Sequence, residues 1–252
     1  MTRPLPVWLS GAVVAATFVV LTWLERRRPL RRSVEPKSVR VARNLGLAAL
    51  VVDRRWGLLQ VAALPAWLEI PLAVVLLDYT LYVWHVLTHR VPWLWRLHVV
   101  HHVDLDMDAS TALRFHFAEL LVSIPWRAAQ VVAIGVSPFA LGVWQTALLV
   151  SIMFHHSNVR LPLALERRLV RVFVTPRMHG IHHSTVRAET DSNWSSGLTL
   201  WDRLHGTLRL DVPQEDVVIG VPAYRDPDDV RFARLLPMPF VPQRPSWEPA
   251  RP

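Results

Sequence analysis

Ten of the 12 histidines fall in four short groups whose spacing brings imidazoles together. His85 and His89 are four residues apart, so on an α-helix both rings lie on one face, one turn apart. His98, His101 and His102 repeat that geometry, and so do His179, His182 and His183. His155 and His156 stand between these groups. An isolated pair at this spacing is more often structural or solvent-exposed than metal-binding. Two His-x-x-His-His boxes and a His-x-x-x-His box, each beside an apolar run, change the balance, because neighbouring imidazoles cannot all be protonated cheaply in one place. Neutral imidazole is a good ligand for iron, zinc, copper and nickel. Eight or nine ligands are too many for one ion, so the count implies two. The chain has no cysteine, which removes disulfides, thiolate metal sites and cysteine nucleophiles.

The elements that would position these rings are apolar. Hydrophobic residues make up 52% of the 252-residue chain and the mean hydropathy is +0.24, high for a soluble domain. The runs are Leu5 to Leu24, Ile70 to Thr88, Ala118 to Val136 and Pro138 to Phe154, each about the length that crosses a ~30 Å hydrocarbon core. The arginines Arg26, Arg27, Arg28, Arg31 and Arg32 follow the first run instead of preceding it. That order reads as a retained helix with its C-terminal end in the cytosol, not as a cleaved signal. Pro92 and the pair Thr175-Pro176 are suited to open the helices that carry the two longer boxes. Gly135, Ser137 and Pro138 are suited to turn a helical hairpin. Residues 44–68 are apolar, but Asp53, Arg54 and Arg55 interrupt them, so this stretch is either a distorted span or an interfacial hairpin. The proline-rich end suggests an extended tail. The net charge of +8 is carried almost wholly by arginine beside apolar runs. Attraction to anionic lipid explains it more simply than nucleic-acid binding does. Trp8, Trp23, Trp84, Trp93, Trp95, Trp126 and Trp144 sit near run ends, as interfacial anchors do, and Trp84 and Trp95 are also placed to line a lipid channel.

The ordered set of motifs from Asp78 to Thr207 resembles the fatty acid hydroxylase/sterol desaturase superfamily of membrane di-iron enzymes. It comprises Asp78-Tyr79, His85, His89-Arg90, Leu94-Trp95-Arg96-Leu97-His98, His101-His102, Arg114-Phe115-His116 with Glu119, His156-Ser157-Asn158, Thr175-Pro176, His179, His182-His183, Trp201-Asp202-Arg203 and Gly206-Thr207. The resemblance implies an all-α integral membrane bundle of about four spans under a cytosolic, histidine-rich helical cap. It implies O2-dependent hydroxylation or desaturation of a lipid such as a sterol, fatty acyl chain or carotenoid. Two iron ions would serve as cofactors and O2 as co-substrate. By motif position it assigns metal ligation to His85, His89, His98, His101, His102, His156, His179, His182 and His183. His155 matches less well, because the motif contains only the second histidine of its pair. The expected domains are an N-terminal span and basic segment (residues 1–43), the catalytic domain (44–210) and a C-terminal cytosolic extension (211–252). No electron-carrying domain is recognisable in the chain, so a separate electron-transfer protein is expected as partner.

Metal-bound imidazoles usually donate their second N–H to a carboxylate or carbonyl. The residues expected to support the ligands in this way are Asp78, His116, Glu119, His155, Asn158 and Asp202. The competing roles for the acids and the amide are a helix-end charge, a salt bridge to Arg114, a loop cap and a turn residue. A histidine-rich membrane metal transporter or metal-binding protein is the alternative class. It would place ionisable residues deep within the spans, whereas these histidines lie at span ends. A zinc hydrolase fits less well, since it needs only three protein ligands and no His-Glu-x-x-His box is present. The substrate, the choice between hydroxylation and desaturation, and the oligomeric state are open at this stage.

Overall fold

The computed structural model describes residues 57–62 and 64–248. The first apolar run, the basic segment after it and the Asp53-Arg54-Arg55 interruption lie outside the described residues. Within them the chain is helical, in ten α-helices without a named strand. In chain order they are α1 (Leu58–Ala62), α2 (Ala66–Arg90), α3 (Pro92–His102), α4 (Phe117–Ile134), α5 (Pro138–His156), α6 (Leu163–Leu169), α7 (Pro176–His182), α8 (Arg187–Thr190), α9 (Leu200–Leu204) and α10 (Phe232–Leu235).

Three of these, α2, α4 and α5, are long and apolar enough to cross a membrane. At 25 residues α2 is about 37 Å long, more than the hydrocarbon core requires. Most of the surface of the three helices is left uncovered by the other described residues, and side chains such as Leu121, Ile124 and Val150 are exposed. That is the pattern of helices solvated by lipid.

Local chemistry sets the element ends. Val91 is extended ahead of Pro92, as a residue before proline must be, and α2 stops there while α3 starts at the proline. Gly135 sits at φ 72°, the left-handed position that ends α4. Ser137 then caps α5 by accepting from the Ala140 N–H, with Pro138 next. Glu69, at the start of α2, accepts from the Ser137 N–H and Oγ–H (3.3 and 3.2 Å) and ties the hairpin turn to the first described span. Around this end Ala73, Leu77, Ile134, Val136 and Ala140 form one apolar cluster with Leu59.

At the opposite end of the spans, α3 is covered by the C-terminal segment. Val99, Val100 and Val103 pack against Val221, Ala223, Tyr224 and Met238. In the described part of the proline-rich tail Met238–Phe240 form a 3-10 turn, and the segment is not free. Arg96 donates to the carbonyls of Pro239 and Val241, Trp95 donates to the Ser246 hydroxyl, and Trp247 stacks on Trp95 at 5.7 Å. Trp95 is thereby engaged by the tail, and Trp84 packs on Trp126 at 5.5 Å.

Asp78, buried in the middle of α2, accepts from the Leu198 N–H (3.0 Å) and the Trp201 indole N–H (2.8 Å). Gly197 lies so close to that carboxylate that any Cβ would collide with it. This pairing docks residues 194–201 onto the span. Asp78→Ala leaves the buried Trp201 N–H and the half-buried Leu198 N–H without an acceptor, a cost of about 2–4 kcal/mol. A lower melting temperature in detergent is expected for Asp78→Ala and for Gly197→Ala. Asp106→Ala, at an exposed position whose carboxylate has no hydrogen bond among the described residues, should melt with the parent protein.

Candidate metal centre

Four elements deliver imidazoles to one buried volume. The end of α2 brings His85 and His89, α3 brings His98, His101 and His102, the end of α5 brings His155 and His156, and α7 with its C-terminal cap brings His179, His182 and His183. Thr175 opens α7 by accepting from the Met178 N–H, and Pro176 follows it. The potential ligand atoms fall into groups lying within 4.8 Å of one another. One group is His85, His89, His98 and His102; a second is His101, His156, His179 and His183. His102, His182 and His183 form a third that joins the other two.

The hydrogen bonds identify which nitrogen of several rings holds the proton. A carbonyl oxygen only accepts, so the ring nitrogen facing it must donate. His85 Nδ1 faces the Trp194 carbonyl (2.7 Å), His156 Nδ1 the Ile152 carbonyl (2.7 Å) and His182 Nδ1 the Ser192 carbonyl (2.8 Å). His98 Nδ1 faces the Glu119 carboxylate at 2.8 Å. In the neutral rings of His85, His156 and His182 Nε2 is therefore a bare lone pair. In the second group the Nε2 atoms of His101, His156, His179 and His183 approach one another in sequence at 3.1, 3.1 and 3.2 Å. In the first group, Nε2 of His89 and His98 and both ring nitrogens of His102 are buried without a partner, as is Nε2 of the bridging His182. Buried lone pairs left unmet cost about 1–3 kcal/mol each, and a cation among them offsets that cost. This donor set, all imidazole with ring nitrogens converging in a buried volume, fits a pair of transition-metal ions.

Electrostatics keep the rings in their ligating form. Burial, and after it the neighbouring imidazoles, holds His101, His102, His179 and His183 well below the usual histidine range. Burial lowers His182 to about 3 against the opposing bond to the Ser192 carbonyl.

The expected supporting residues separate by what they touch. Glu119 contacts a ring directly, at His98. Asp202 touches no ring but accepts from the Trp194 and Ser195 N–H groups and from Thr207 Oγ1, and so holds the turn whose Trp194 carbonyl receives the His85 proton. Burial raises its pKa, and those bonds oppose the rise. Asp78 anchors the same loop to α2 and reaches no histidine. His116 caps α4, accepting from the Ala118 N–H at Nδ1 and donating from Nε2 to the Leu236 carbonyl. His155 packs its ring 4.1 Å from that of His179 but belongs to none of the ligand groups. Asn158 is exposed and lines a surface cavity with Arg160, Pro176 and Arg177, so a role behind a ligand is corrected here to a surface position.

Sequence reasoning missed the carbonyls of Ile152, Ser192 and Trp194, and the residue that aims two of them. Asn193 takes φ 54°, donates from Nδ2 to the Met178 and Arg209 carbonyls, and accepts from the Arg209 N–H. The turn therefore presents Ser192 and Trp194 oxygens inward from either side of it. Asparagine's tolerance of the left-handed region is the one available signal.

Comparison with known proteins came to the same stretch of chain. The fatty acid hydroxylase family profile matches residues 70–207. Ornithine lipid hydroxylase OlsE of Rhizobium tropici is 32% identical over 161 residues, covering 62% of this chain and 46% of that protein. Human alkylglycerol monooxygenase is 30% identical over 57% of this chain and 31% of its own length. A cholesterol 25-hydroxylase-like protein of Danio rerio is 30% identical over 57% of this chain and 56% of its own. The chain thus spans roughly a third to a half of these relatives' lengths. No solved structure matches it.

The buried imidazoles carry a pH signature. An unfolded His182 titrates near 6.5 and the folded one near about 3, so between those values the unfolded chain binds a proton that the folded one does not. The stability gained is full above pH 6.5 and drains as acid is added through that window. Metal-free protein should melt at a falling temperature from about pH 7 to about pH 5. A flat profile over that range would contradict a buried, neutral cluster.

Proposed function

The chain belongs to the fatty acid hydroxylase family, and from that premise we propose that it is a membrane oxidoreductase that hydroxylates or desaturates a lipid with O2 at a two-iron centre. The observation that carries this reading is the convergence of buried imidazole nitrogens from four helices at the end of three apolar helices. His85, His89, His98 and His102 would hold one ion, and His101, His156, His179 and His183 the other. His182 stands against the shared wall of His102 and His183. Iron bound there would supply the activation of O2 and the oxidising power toward an unactivated C–H bond.

The protein's own contribution is orientation and exclusion. The carbonyls of Trp194, Ser192 and Ile152 and the Glu119 carboxylate keep the imidazole protons on Nδ1, so that Nε2 faces inward. Helical placement restricts the rings to small displacements. Burial of the cluster keeps bulk water from competing for the reactive site. α2 and α5 present their histidines at the ends of spans, so a hydrocarbon chain can approach the centre while the rest of the lipid stays in the bilayer. The three relatives are named for ornithine lipid, alkylglycerol and cholesterol, which share an extended apolar portion, and a substrate of that class suits this approach. Reducing equivalents would come from a separate electron-transfer protein. Arg90, Arg96, Arg114 and Arg160, which lie beside the histidine end of the spans, would place that end on the cytosolic side.

Detergent-purified protein expressed with iron should carry about two iron ions per chain. A His179→Ala/His183→Ala variant should lose most of that iron, and His155→Ala should retain it. Glu119→Gln should weaken iron binding about 10–100-fold while leaving the fold intact. Iron content equal in the parent and the double variant would sink the ligand assignment. For the reaction, membranes from cells expressing the chain should gain a lipid carrying one added oxygen atom or one added double bond. That product should depend on O2 and be absent with the double variant.

A further inference from the structure

Residues 157–173 leave the end of α5 and expose apolar side chains that no described residue covers. α6 exposes Leu163 (56%) and Leu165, and the turn behind it exposes Val172 and Phe173 (50%). An antiparallel bridge between Phe173 and Leu198, with the Thr199 N–H donating to the Val172 carbonyl (3.0 Å), brings α9 alongside. There Leu200 and Leu204 (67%) are exposed as well. Exposed apolar groups gathered in this way mark an interaction surface.

Arginines are interleaved with them. Arg160, Arg167, Arg168 and Arg171 are all exposed, and among the described residues none of the four is ion-paired. The one acid of α6, Glu166, is buried with Arg177 3.7 Å away. The patch is also level with the spans. Ser151 of α5 donates to the Ser196 carbonyl (2.7 Å) and Asp78 of α2 accepts from Leu198, and both residues lie inside helices that qualify as membrane spans. An acidic protein partner would match the charge but would not require six apolar side chains beside two spans. A bilayer with anionic headgroups matches both, since arginine stems lie along apolar surface while their heads reach phosphate.

We propose that α6, the turn after it and α9 form a seat on an anionic leaflet, with the apolar side chains in the headgroup–acyl boundary and the arginines on lipid phosphates. Two residues after Phe173 comes Thr175, the cap of α7. The seat therefore sets the depth at which the third histidine box stands relative to the bilayer. The proposal rests on membrane insertion and not on the identity of any bound metal.

The chain has no cysteine, so single labels test this in the full-length protein. Leu165→Cys, and in a second protein Phe173→Cys, would carry an environment-sensitive fluorophore in nanodiscs of phosphatidylcholine with or without phosphatidylglycerol. Asp226→Cys, on an exposed loop, is the water-facing reference. Lipids with brominated acyl chains should quench the first two labels and iodide should quench the third. Changing Arg160, Arg167, Arg168 and Arg171 to Gln should lower lipid quenching of the Leu165→Cys label about twofold in the anionic discs and little in the neutral ones. Iodide quenching of the Leu165→Cys and Phe173→Cys labels equal to that of the Asp226→Cys label would overturn the seat. Lipid quenching indifferent to both phosphatidylglycerol and the arginines would overturn its selectivity for anionic lipid.

Discussion

Imidazoles packed together away from water must be neutral, and each neutral ring has one proton to place and one lone pair to satisfy. For four of the rings the structure supplies a fixed acceptor for that proton. Trp194, Ser192 and Ile152 offer carbonyls, Glu119 offers a carboxylate, and each takes an Nδ1 proton. The second need, for the lone pair, is left open. In the second group the Nε2 atoms stand 3.1, 3.1 and 3.2 Å apart, while Nδ1 of His101, His179 and His183 is buried without a partner. The remainder of the fold positions those acceptors and keeps the lone pairs dry.

The loop between α7 and α9 shows how many interactions serve that one end. Asp202 gathers Trp194, Ser195 and Thr207, Asn193 links Met178 to Arg209, and Asp78 fastens the far side of the loop to a span. None of these three side chains touches an imidazole. They fix where two carbonyl oxygens sit, and those oxygens fix which nitrogen of His85 and His182 faces inward. A carboxylate buried at membrane depth, costly alone, is tolerated at Asp78 because two donors and a glycine shaped to its oxygens surround it.

The membrane supplies the second constraint. Three long helices with mostly uncovered surfaces need lipid around them, and two of them end in histidines. The centre is thereby held at the boundary of the hydrocarbon, and the basic, apolar surface of α6 and α9 adds a contact with the same boundary outside the spans. From the opposite direction the C-terminal segment lies over α3, so the middle box is covered by chain where the third stands near the lipid surface.

Much of this was legible one residue at a time, wherever the determining physics is local. Pro92, Thr175-Pro176 and Gly135-Ser137-Pro138 act through backbone geometry within a turn, and each begins or ends a helix where its chemistry requires. The apolar runs mark the three described spans to within a few residues, because length and hydropathy suffice. The spacing of the histidines announced a shared site. It did not state the partition. Residues four apart lie about 40° from alignment on a helix and residues three apart lie about 60° off on the other side, so His98 and His102 face one group while His101 turns to the other, and His179 and His183 separate from His182 in the same way. Which face meets which depends on how four helices pack. So do the acceptors behind the rings, since a backbone carbonyl has no residue type to betray it, and so does the parting of Glu119 from Asp78, Asp202 and Asn158. Sequence alone determined that many imidazoles would meet beside a membrane; only the tertiary structure decided which lone pairs converge, because that choice is made by contacts between residues as far apart as His85 and Trp194.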